Sequence, residues 1–413
     1  MFFLTSFYVI ITHYLIYLYL FYFSSKLVIL GGLSITQVLK IYFISGYILS
    51  FYLYFISSTR VTRFLGYIVF CLLPLLVICF TFIKNVFFFL FIYEFFLFPS
   101  ILIVYLFSPN IRLLAANLYF IMWTQFGSLL VILGCLLLYL KCGVITLNNL
   151  NSIIPDYISF LFILGLGVKI PIWPFHFWLT KTHVEAPTYF SIYLSGFLVK
   201  TAVLGFIIFL EYTSFLVIFT FIIISIVGVL DSTLKFAHQI DLKKLVAYTT
   251  VQEMNMILLI MFVGLNLYLP LVLLFIITHT ILSSLFFYIV DVIYKNHLTR
   301  VSSAVFGVKQ LNYVFGVFLL FSVFFYLGFP YTVKFFIEIK LFLILYNYNK
   351  FIFYTILFIV NWVGSVVFGK IWFNVIYLNP QKQLFYYLNK KEYIFFIFFL
   401  SIFIFFTIIF LYL

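Results

Sequence analysis

Long apolar segments follow one another along the whole chain, and this pattern constrains the fold more than any other feature of the sequence. Many of them run for about 18–25 residues with few charges, and an α-helix of about 20 residues crosses the hydrocarbon core of a bilayer. The composition agrees, since 67% of the 413 residues are hydrophobic and 8% are charged. Soluble domains of this size are far more polar. The sequence therefore predicts an all-α polytopic membrane protein.

By this length criterion we expect about thirteen transmembrane helices. The predicted helices cover residues 2–23, 41–58, 65–82, 84–107, 112–140, 153–170, 187–210, 213–234, 243–264, 268–293, 308–346 (interrupted), 350–375 and 393–412. No connection between them is long enough to form a soluble domain, so one membrane domain is expected over residues 1–413. Its predicted parts are N-terminal helices in 1–64, a first repeat in 65–210, a second repeat in 213–375, and a C-terminal loop and helix in 376–413.

The formal net charge of +13 lies mostly in the connections between the apolar segments. This distribution suits anionic lipid headgroups and control of topology. It argues against nucleic acid as a partner, because no basic run is interleaved with solvent-facing aromatic residues. The cysteines form no CxxC pair and are interpreted as small buried residues rather than as disulfides or cluster ligands; they are Cys71, Cys79, Cys135 and Cys142.

The stretch from Gly165 to Lys200 departs from the apolar pattern, because charged residues and prolines interrupt it. A lysine within a membrane helix is costly unless it is paired or faces water, which makes Lys169 notable. Pro171 follows two residues later, and it removes a backbone donor and clashes with the preceding turn, so the helix should break near Lys169. Broken backbone at membrane depth is tolerated where it is buried in protein or lines a wet cavity. Charge beside such a break indicates an ion path.

A second interruption, Gly328-Phe-Pro330, is followed within two turns by Lys334 and Glu338. Corresponding breaks in the two halves of a transporter indicate inverted repeats with an ion site at their interface. We therefore predict two inverted five-helix repeats, each with one broken helix, which is an antiporter-like fold. The alternative is one proline kink in each half without symmetry, since proline is common in membrane helices.

Glu94 lies in the middle of an apolar run with no cation within reach along its own helix. It must be protonated or paired with a cation on another helix, and Lys169 and Lys200 are the nearest intramembrane cations in sequence. In such a pair each charge stabilises the other, and separation favours the neutral forms, so a proton can be released or captured. A static structural ion pair is the alternative.

Further titratable residues fall within predicted helices. His279 is followed by hydroxyl residues on overlapping faces, and an imidazole that titrates near pH 6.5 relays protons well; the alternative is a hydrogen-bonded packing residue. Glu338 is a second buried carboxylate, and the alternative to a proton carrier is a structural pair with Lys334, four residues before it, or Lys340, two after; only Lys334 shares its helix face. Glu253 is a third. Lys235, Asp241, Lys243 and Lys244 are expected in a solvated loop.

His176 and His183 lie seven residues apart, on either side of Lys181, with no cysteine or further histidine nearby. This spacing suggests one helix face, but Pro174 precedes it. We therefore expect neither a metal site nor a haem site in this chain.

Several of these segments are similar to the NADH–ubiquinone oxidoreductase chain 4 family, the antiporter-like proton-pumping subunits of the membrane arm of respiratory complex I. The resemblance covers roughly 84–346. It is carried by LFIYEFFLFPSILI around Glu94, VKIPIWPFHFWLTKTHVEAPTYFSIYLSGFLVKTAVLGF, DLKKLVAYTTVQEM, THTILSSLFF around His279 and LGFPYTVKFFIEIK around Glu338. The segment KTHVEAP followed by Lys200 is specific for the antiporter-like group. A glutamate at position 338 favours chain 4 over its paralogues, chains 2 and 5.

The resemblance implies a role for each matched residue in proton translocation. Glu94 would be the carboxylate of an essential Glu–Lys pair and Lys169 its partner. Lys200 would be the next proton carrier, His279 the bridging relay and Glu338 the proton acceptor on the exit side. Secondary candidates are His176, His183, Glu185 and Glu253.

The resemblance also implies a place in the cell. The chain would be a non-redox subunit of a proton-translocating NADH:ubiquinone reductase in the mitochondrial inner membrane, without a cofactor of its own. NADH, FMN, iron–sulfur clusters and ubiquinone would bind other subunits. Its expected partners are other membrane-arm subunits, including chains 2 and 5, and phospholipids such as cardiolipin. The 62 Phe and 33 Tyr resemble the codon bias of an AT-rich organellar genome, which favours synthesis in the organelle.

The sequence departs from the family at Thr180, where proline is usual, and at Glu253, where histidine is usual. The region before Glu94 is about one helix shorter than the fourteen-helix pattern of the family. Three other functions stay open: a secondary cation/proton antiporter of the multisubunit type, a membrane scaffold with a vestigial path, and a haem-bearing quinol subunit. Glu338 disfavours the first, the set of five titratable residues disfavours the second, and the histidine spacing disfavours the third.

Overall fold

The computed structural model describes residues 86–95, 97–98, 100–101, 111–143, 154–210, 213–264 and 269–378. All of them belong to Lys84–Leu413, one of two compact units of the chain. The helices predicted at 2–23, 41–58, 65–82 and 393–412 lie outside the described residues. The described residues form helices and no strand; the isolated bridge between Asp241 and Val301 is their one β contact.

Fourteen α-helices and three other helical segments are described. They are α1 (Val86–Phe95), α2 (Ile111–Cys142), α3 (Asp156–Lys169), α4 (Phe177–Glu185), α5 (Thr188–Tyr193), a π-helix (Leu194–Leu198), α6 (Val199–Leu210), α7 (Phe215–Ala237), α8 (Leu242–Gly264), α9 (Leu269–His297), a 3₁₀ turn (Ser302–Ala304), α10 (Val308–Leu311), α11 (Tyr313–Tyr326), α12 (Val333–Tyr348), α13 (Lys350–Ile356), a second π-helix (Leu357–Gly364) and α14 (Ser365–Tyr377).

Within these residues, six helical stretches are long and apolar enough to cross a membrane. They are Arg112–Lys141, Phe190–Ile207, Phe215–Ala237, Leu242–Gly264, Leu271–His297 and Lys350–Tyr377. Each falls within a few residues of a helix predicted from the apolar runs. The prediction of an all-α multi-span protein is therefore confirmed for the described part of the chain. The total of thirteen helices and the inverted repeats stay predictions.

The first helix break covers residues 170–176, between the end of α3 at Lys169 and the start of α4 at Phe177. It lies where Pro171 predicted it, because a proline cannot continue the hydrogen-bond ladder of α3. The end of α3 is held from two directions. The backbone N–H of Ile172 donates to Gly167, and the indole of Trp178 donates to the Val168 carbonyl over 3.0 Å.

The second helix break covers residues 327–332, between the end of α11 and the start of α12. Gly328 has φ +66°, a left-handed conformation that glycine adopts without strain. The Thr332 hydroxyl then caps α12 by accepting from the Phe335 N–H over 3.3 Å. A Cβ on Gly328 would lie 2.8 Å from Oε2 of Glu338, so the glycine also makes room for this carboxylate.

Helix α8 is almost entirely buried and contacts the first helix break. Asn255 donates from Nδ2 to the Pro171 carbonyl over 3.2 Å and to the Val251 carbonyl over 2.8 Å. Gly228 of α7 makes this possible, since a Cβ there would lie 2.3 Å from the Asn255 amide oxygen. A polar side chain of α8 therefore satisfies backbone that the break leaves without a helical partner.

The prediction of a solvated loop holding Lys235, Asp241, Lys243 and Lys244 is wrong for three of its members. Lys235 lies in α7, and Lys243 and Lys244 lie in the first turn of α8. Lys243 is buried and donates to the Ala186 carbonyl just past the end of α4. Orphan carbonyls at a helix C-terminus require donors, and cations are favourable there. Arg300 supplies another donor, to the Val184 carbonyl over 2.8 Å.

Candidate functional site

Glu94 of α1 and Lys169 of α3 form an ion pair directly before the first helix break. Lys169 Nζ lies 3.3 Å from Glu94 Oε1. The lysine side chain is 2% exposed and the glutamate side chain 27% exposed. The ammonium also lies 3.4 Å from the centroid of the Tyr93 ring, a favourable cation–π position. The structure thus brings together the carboxylate and the cation that the sequence placed on different helices.

Lys200 is completely buried in α6, and its amine donates to the Ser195 backbone carbonyl. Ser195 belongs to the π-helix Leu194–Leu198, whose wider hydrogen-bond spacing is typical of functional sites. Thr280 of α9 contacts the same segment, because its hydroxyl lies 3.4 Å from the Gly196 carbonyl. The π-helix therefore links the amine of Lys200 to the helix that carries His279.

His279 is 2% exposed, and its Nε2 lies 3.8 Å from Oε2 of Glu253. Within the described residues, neither ring nitrogen has a protein hydrogen-bond partner, and the same holds for His183. A packing histidine is normally held by a fixed hydrogen bond, so this geometry favours the relay interpretation of His279. Electrostatic interactions connect His279 to Lys200 and to His183, whose ring stacks on Phe287 at 4.7 Å.

The second helix break carries a cluster of one cation and two carboxylates. Lys334 Nζ lies 2.6 Å from Oε1 of Glu253 and 3.8 Å from Oε1 of Glu338. The ammonium lies 3.7 Å from the centroid of the Tyr326 ring. Lys334 and Glu253 are nearly fully buried, with side chains 8% and 7% exposed. The sequence identified Lys334 as a partner of Glu338, and the structure adds a closer contact with Glu253 of α8.

A cavity of about 250 Å³ lies beside this cluster. Its polar lining consists of Gln252, Glu253, Lys334, Glu338, Asn361 and Ser365. Asn361 belongs to the second π-helix, and the Ser365 hydroxyl donates to its carbonyl. The rest of the lining is mainly apolar. A cavity of this volume has room for several water molecules beside its polar side chains, and such water can carry protons between carboxylates.

His176 belongs to a different group from the other candidates. Its Nε2 lies 3.5 Å from Oδ2 of Asp231 and 3.4 Å from the Lys235 amine, and Lys235 pairs with Asp231 at 2.6 Å. The ring stacks on Phe177 at 4.4 Å. Glu185 interacts electrostatically with Lys243 at the end of α4. The structure thus does not bring His176 or Glu185 into contact with the carboxylates of the other groups.

Sequence reasoning missed one contact and the positions of two polar residues. The contact of Lys334 with Glu253 joins residues far apart in sequence, so no local spacing could predict it. Lys243 falls in the predicted solvated loop, and Asp231 falls near the end of the predicted helix 213–234 without being identified as a site residue. Each of these two residues is a charge within one turn of a predicted helix end, which could have indicated a site. The same pattern is found at ordinary solvated helix termini.

Within the described residues, Glu–Lys pairs lie at two helix breaks, and the ring nitrogens of the buried His183 and His279 have no hydrogen-bond partner. These features define a class: multi-span helical membrane proteins with ionisable side chains at broken helices. Comparison with known proteins identifies the family. Residues 84–364 match the model of the NADH:quinone oxidoreductase/Mrp antiporter membrane family. The chain belongs to this family.

One relative is NADH-ubiquinone oxidoreductase chain 4 of Paramecium tetraurelia, 38% identical over 313 residues, which cover 72% of this chain and 64% of the relative. This confirms the predicted resemblance to chain 4. The chain thus spans less than two thirds of that relative's length.

Two solved structures share the fold. A chain of respiratory complex I from Thermus thermophilus with bound NADH matches with a TM-score of 0.77 at 18% identity, covering 89% of this chain and 79% of that one. A chain of the Mrp complex from Dietzia sp. matches with a TM-score of 0.74 at 16% identity, covering 84% and 67%.

Proposed function

We propose that this chain is a proton-translocating subunit of the membrane arm of NADH:ubiquinone oxidoreductase. The observation that carries the proposal is the Glu94–Lys169 ion pair at the first helix break. Its Nζ–Oε1 distance is 3.3 Å, and the lysine side chain is almost completely buried. A buried pair of this kind has two states, closed with both charges present and open with neutral forms favoured, so it can couple a distant electrostatic change to proton movement. Membership of the family and the similarity to chain 4 support this assignment.

The first step uses the input half of the site. When the pair opens, the Lys169 ammonium loses its counter-charge and can give up its proton. Lys200 is the next carrier, and its amine rests on a carbonyl of the π-helix rather than on a carboxylate. Because no carboxylate of the described residues forms an ion pair with it, Lys200 can accept a proton and pass it on.

The second step uses the exit half. His279 receives the proton on one ring nitrogen and releases one from the other, so its charge is restored after each transfer. Glu253 lies within 3.8 Å of Nε2, and Glu338 faces the cavity beyond it. Glu338 is the proton acceptor from which the proton leaves the subunit. No electron transfer takes place in this chain.

The wider assignment has four parts. The chain has about thirteen transmembrane helices in two inverted five-helix repeats, 65–210 and 213–375. It lies in the mitochondrial inner membrane and is synthesised in the organelle. Its neighbours are other membrane-arm subunits, including chains 2 and 5, with cardiolipin among the lipids. NADH, FMN, iron–sulfur clusters and ubiquinone bind elsewhere in the complex.

A native gel of mildly solubilised organelle membranes tests the assignment. The gel is stained for NADH oxidation, and mass spectrometry locates this chain. Migration with a large NADH-oxidising band is expected. Migration in a smaller assembly without NADH oxidation would contradict the proposal.

That second outcome would favour the other candidate function, a cation/proton antiporter subunit. The fold likeness to a chain of the Mrp complex supports this candidate. Sodium-dependent proton flux in vesicles that hold the smaller assembly would then be the measurement to make.

A further inference from the structure

Each helix break carries the same three components: a lysine beside the break, a glutamate from another helix and a tyrosine ring under the ammonium. At the first break these are Lys169, Glu94 and Tyr93. At the second, Lys334 lies two residues after residues 327–332, pairs with Glu253 and lies over Tyr326. The second break therefore has a Glu–Lys pair of its own, and the relay from His279 to Glu338 gives its lysine no role.

The second pair differs from the first because another carboxylate lies within reach of its cation. The Lys334 amine is 2.6 Å from Glu253 and 3.8 Å from Glu338. A shift of about 1 Å would give it hydrogen-bond contact with Glu338. One cation cannot neutralise two buried carboxylates, so the cluster is neutral when it also holds one proton.

We propose that Lys334 is a shared counter-ion that alternates between Glu253 and Glu338 and couples proton arrival at one carboxylate to proton release from the other. In the first state Lys334 pairs with charged Glu253, and Glu338 carries the proton. In the second state Glu253 carries the proton, and Lys334 pairs with charged Glu338. Lys334 stays an ammonium in both states. This inference rests on the proposed function and specifies how the proton passes from His279 to Glu338.

The cycle is balanced in protons. His279 transfers a proton from Nε2 to Oε2 of Glu253, which lies 3.8 Å away, and becomes ready to accept another. Lys334 then moves to Glu338 and stabilises its charged form, so the Glu338 proton leaves through the cavity. The proton on Glu253 next passes to Glu338 through water in the same cavity, and Lys334 returns. One proton enters and one leaves in each cycle.

The surroundings fit a mobile ammonium between two fixed carboxylates. Glu253 lies on buried α8, and the Tyr326 hydroxyl lies beside it. Glu338 packs against Gly328, where no Cβ occupies the space next to its carboxylate. The cavity touches all three members of the cluster, so water can follow the ammonium as it moves.

The test compares variants of the full chain in the assembled complex, in sealed membrane vesicles, by protons pumped per NADH oxidised. Lys334→Met should lower this yield to the level of Lys169→Met, while Lys334→Arg, which keeps the charge, should retain most of it. Lys350→Met is the control, because Lys350 is an exposed lysine whose amine lies over the Tyr346 ring, 5.5 Å from its centroid. A native gel measures assembly of each variant.

The double variant Glu253→Gln with Lys334→Met separates a switch from a static pair. It removes both members of the Glu253–Lys334 pair and leaves Glu338, which is uncharged when it carries the proton, so a purely structural pair predicts recovery of the normal yield. A shared counter-ion predicts that the yield stays low. A normal yield in this variant would overturn the proposal, and the variant also decides the matter if Lys334→Met alone fails to assemble.

The remaining variant is Glu253→Gln alone. It keeps Lys334 as the cation of Glu338, so it disturbs the fold least. A low yield is expected, and a normal one contradicts the coupling. The two proposals fail differently: a normal yield in Lys169→Met removes the proton-pumping function itself. A low yield there with a normal double variant removes the shared counter-ion alone.

Discussion

The two helix breaks use similar parts with different charge balance. At the first break, one lysine meets one carboxylate, Glu94, whose side chain is 27% exposed. At the second break, Lys334 meets Glu253 and Glu338. A pair of one lysine and one carboxylate can open or close, so it suits the control of proton entry. A cluster of one lysine and two carboxylates holds one proton in either state, so it suits transfer of a proton from one carboxylate to the other. The difference shows that charge number, rather than the break itself, decides what each site can do.

The breaks also differ in how their backbone is held. At the first, Asn255 and Trp178 donate side-chain hydrogen bonds to carbonyls near the break. At the second, Gly328 turns the chain by its positive φ, and the hydroxyl of Thr332 caps the next helix. The first break thus depends on distant side chains, while the second depends on local conformation. The first break should therefore be disrupted by mutations in other helices, and the second by mutations within its own residues.

The largest effect is expected from Lys169→Met. It removes the cation of the Glu94–Lys169 pair and leaves Glu94 without its counter-charge, so the pair can no longer close. We expect proton translocation through this subunit to be lost, measured as protons pumped per NADH oxidised in sealed vesicles. Lys181→Met is the matched control, because Lys181 is exposed and lies over the Tyr119 ring rather than beside a carboxylate. Normal pumping in Lys169→Met would remove the first break from the mechanism.

Gly328→Ala should have the next largest effect, and it acts at the second break. Alanine is strained at φ +66°, which costs about 1 kcal/mol, and its Cβ would meet Oε2 of Glu338 at 2.8 Å. We expect a several-fold loss of proton yield as the carboxylate is displaced. A lower midpoint of thermal inactivation of the assembled complex should accompany this loss.

Gly143→Ala separates the two causes. Gly143 has φ +63°, and no atom of the described residues lies within 4 Å of its Cβ position, so this variant carries the strain without the clash. It should lower the thermal midpoint and leave the proton yield intact. Equal loss of yield in both variants would mean that strain alone, and not the position of Glu338, limits transfer.

The helices and both breaks could be predicted from the sequence, because they follow from short-range rules. Apolar runs of membrane length gave the spans, and Pro171 and Gly328 marked the interruptions. An isolated charge in an apolar helix requires a proton or a partner, which leaves Lys169 and Lys200 as candidates for Glu94, and the family resemblance selects Lys169. The structure shows this contact.

The second cluster could not be predicted in the same way. Glu253 and Lys334 are 81 residues apart, and either could have met a different partner. Lys243 was assigned to a loop, because the sequence does not reveal that the end of α4 lies against α8 and requires a donor there. The local pattern thus predicts where charges are buried, and the packing of distant helices decides which of them meet.

Asn255→Ala should have a moderate effect that is confined to the first break. It removes the donor to the Pro171 carbonyl, and loss of a buried hydrogen bond costs about 1–3 kcal/mol. We expect a lower thermal midpoint and about a two-fold loss of proton yield as Lys169 becomes less well positioned. Asn296→Ala is the control, because its amide donates within its own helix, to Val292. Equal effects of the two variants would show that Asn255 has no special role at the break.

The smallest effects are expected from changes to the two tyrosines whose rings lie under the lysines. Both Tyr93→Phe and Tyr326→Phe keep an aromatic face for the ammonium and remove a hydroxyl. Within the described residues the Tyr93 hydroxyl is buried without a hydrogen-bond partner, so its loss should be neutral or slightly stabilising. The Tyr326 hydroxyl lies beside Glu253 and Thr249, so its loss should cost about 0.5–1.5 kcal/mol and slow proton transfer slightly.

Thermal midpoints and proton yields of the two variants, measured side by side, test this asymmetry. A larger loss in Tyr93→Phe than in Tyr326→Phe would mean that the hydroxyl beside the Glu94–Lys169 pair contributes more than the one beside the cluster. The Tyr326 hydroxyl would then not distinguish the second break from the first, and the two sites would differ only in their number of charged groups. The expected order instead indicates that the Tyr326 hydroxyl supports Glu253, the carboxylate that we propose receives the proton from His279.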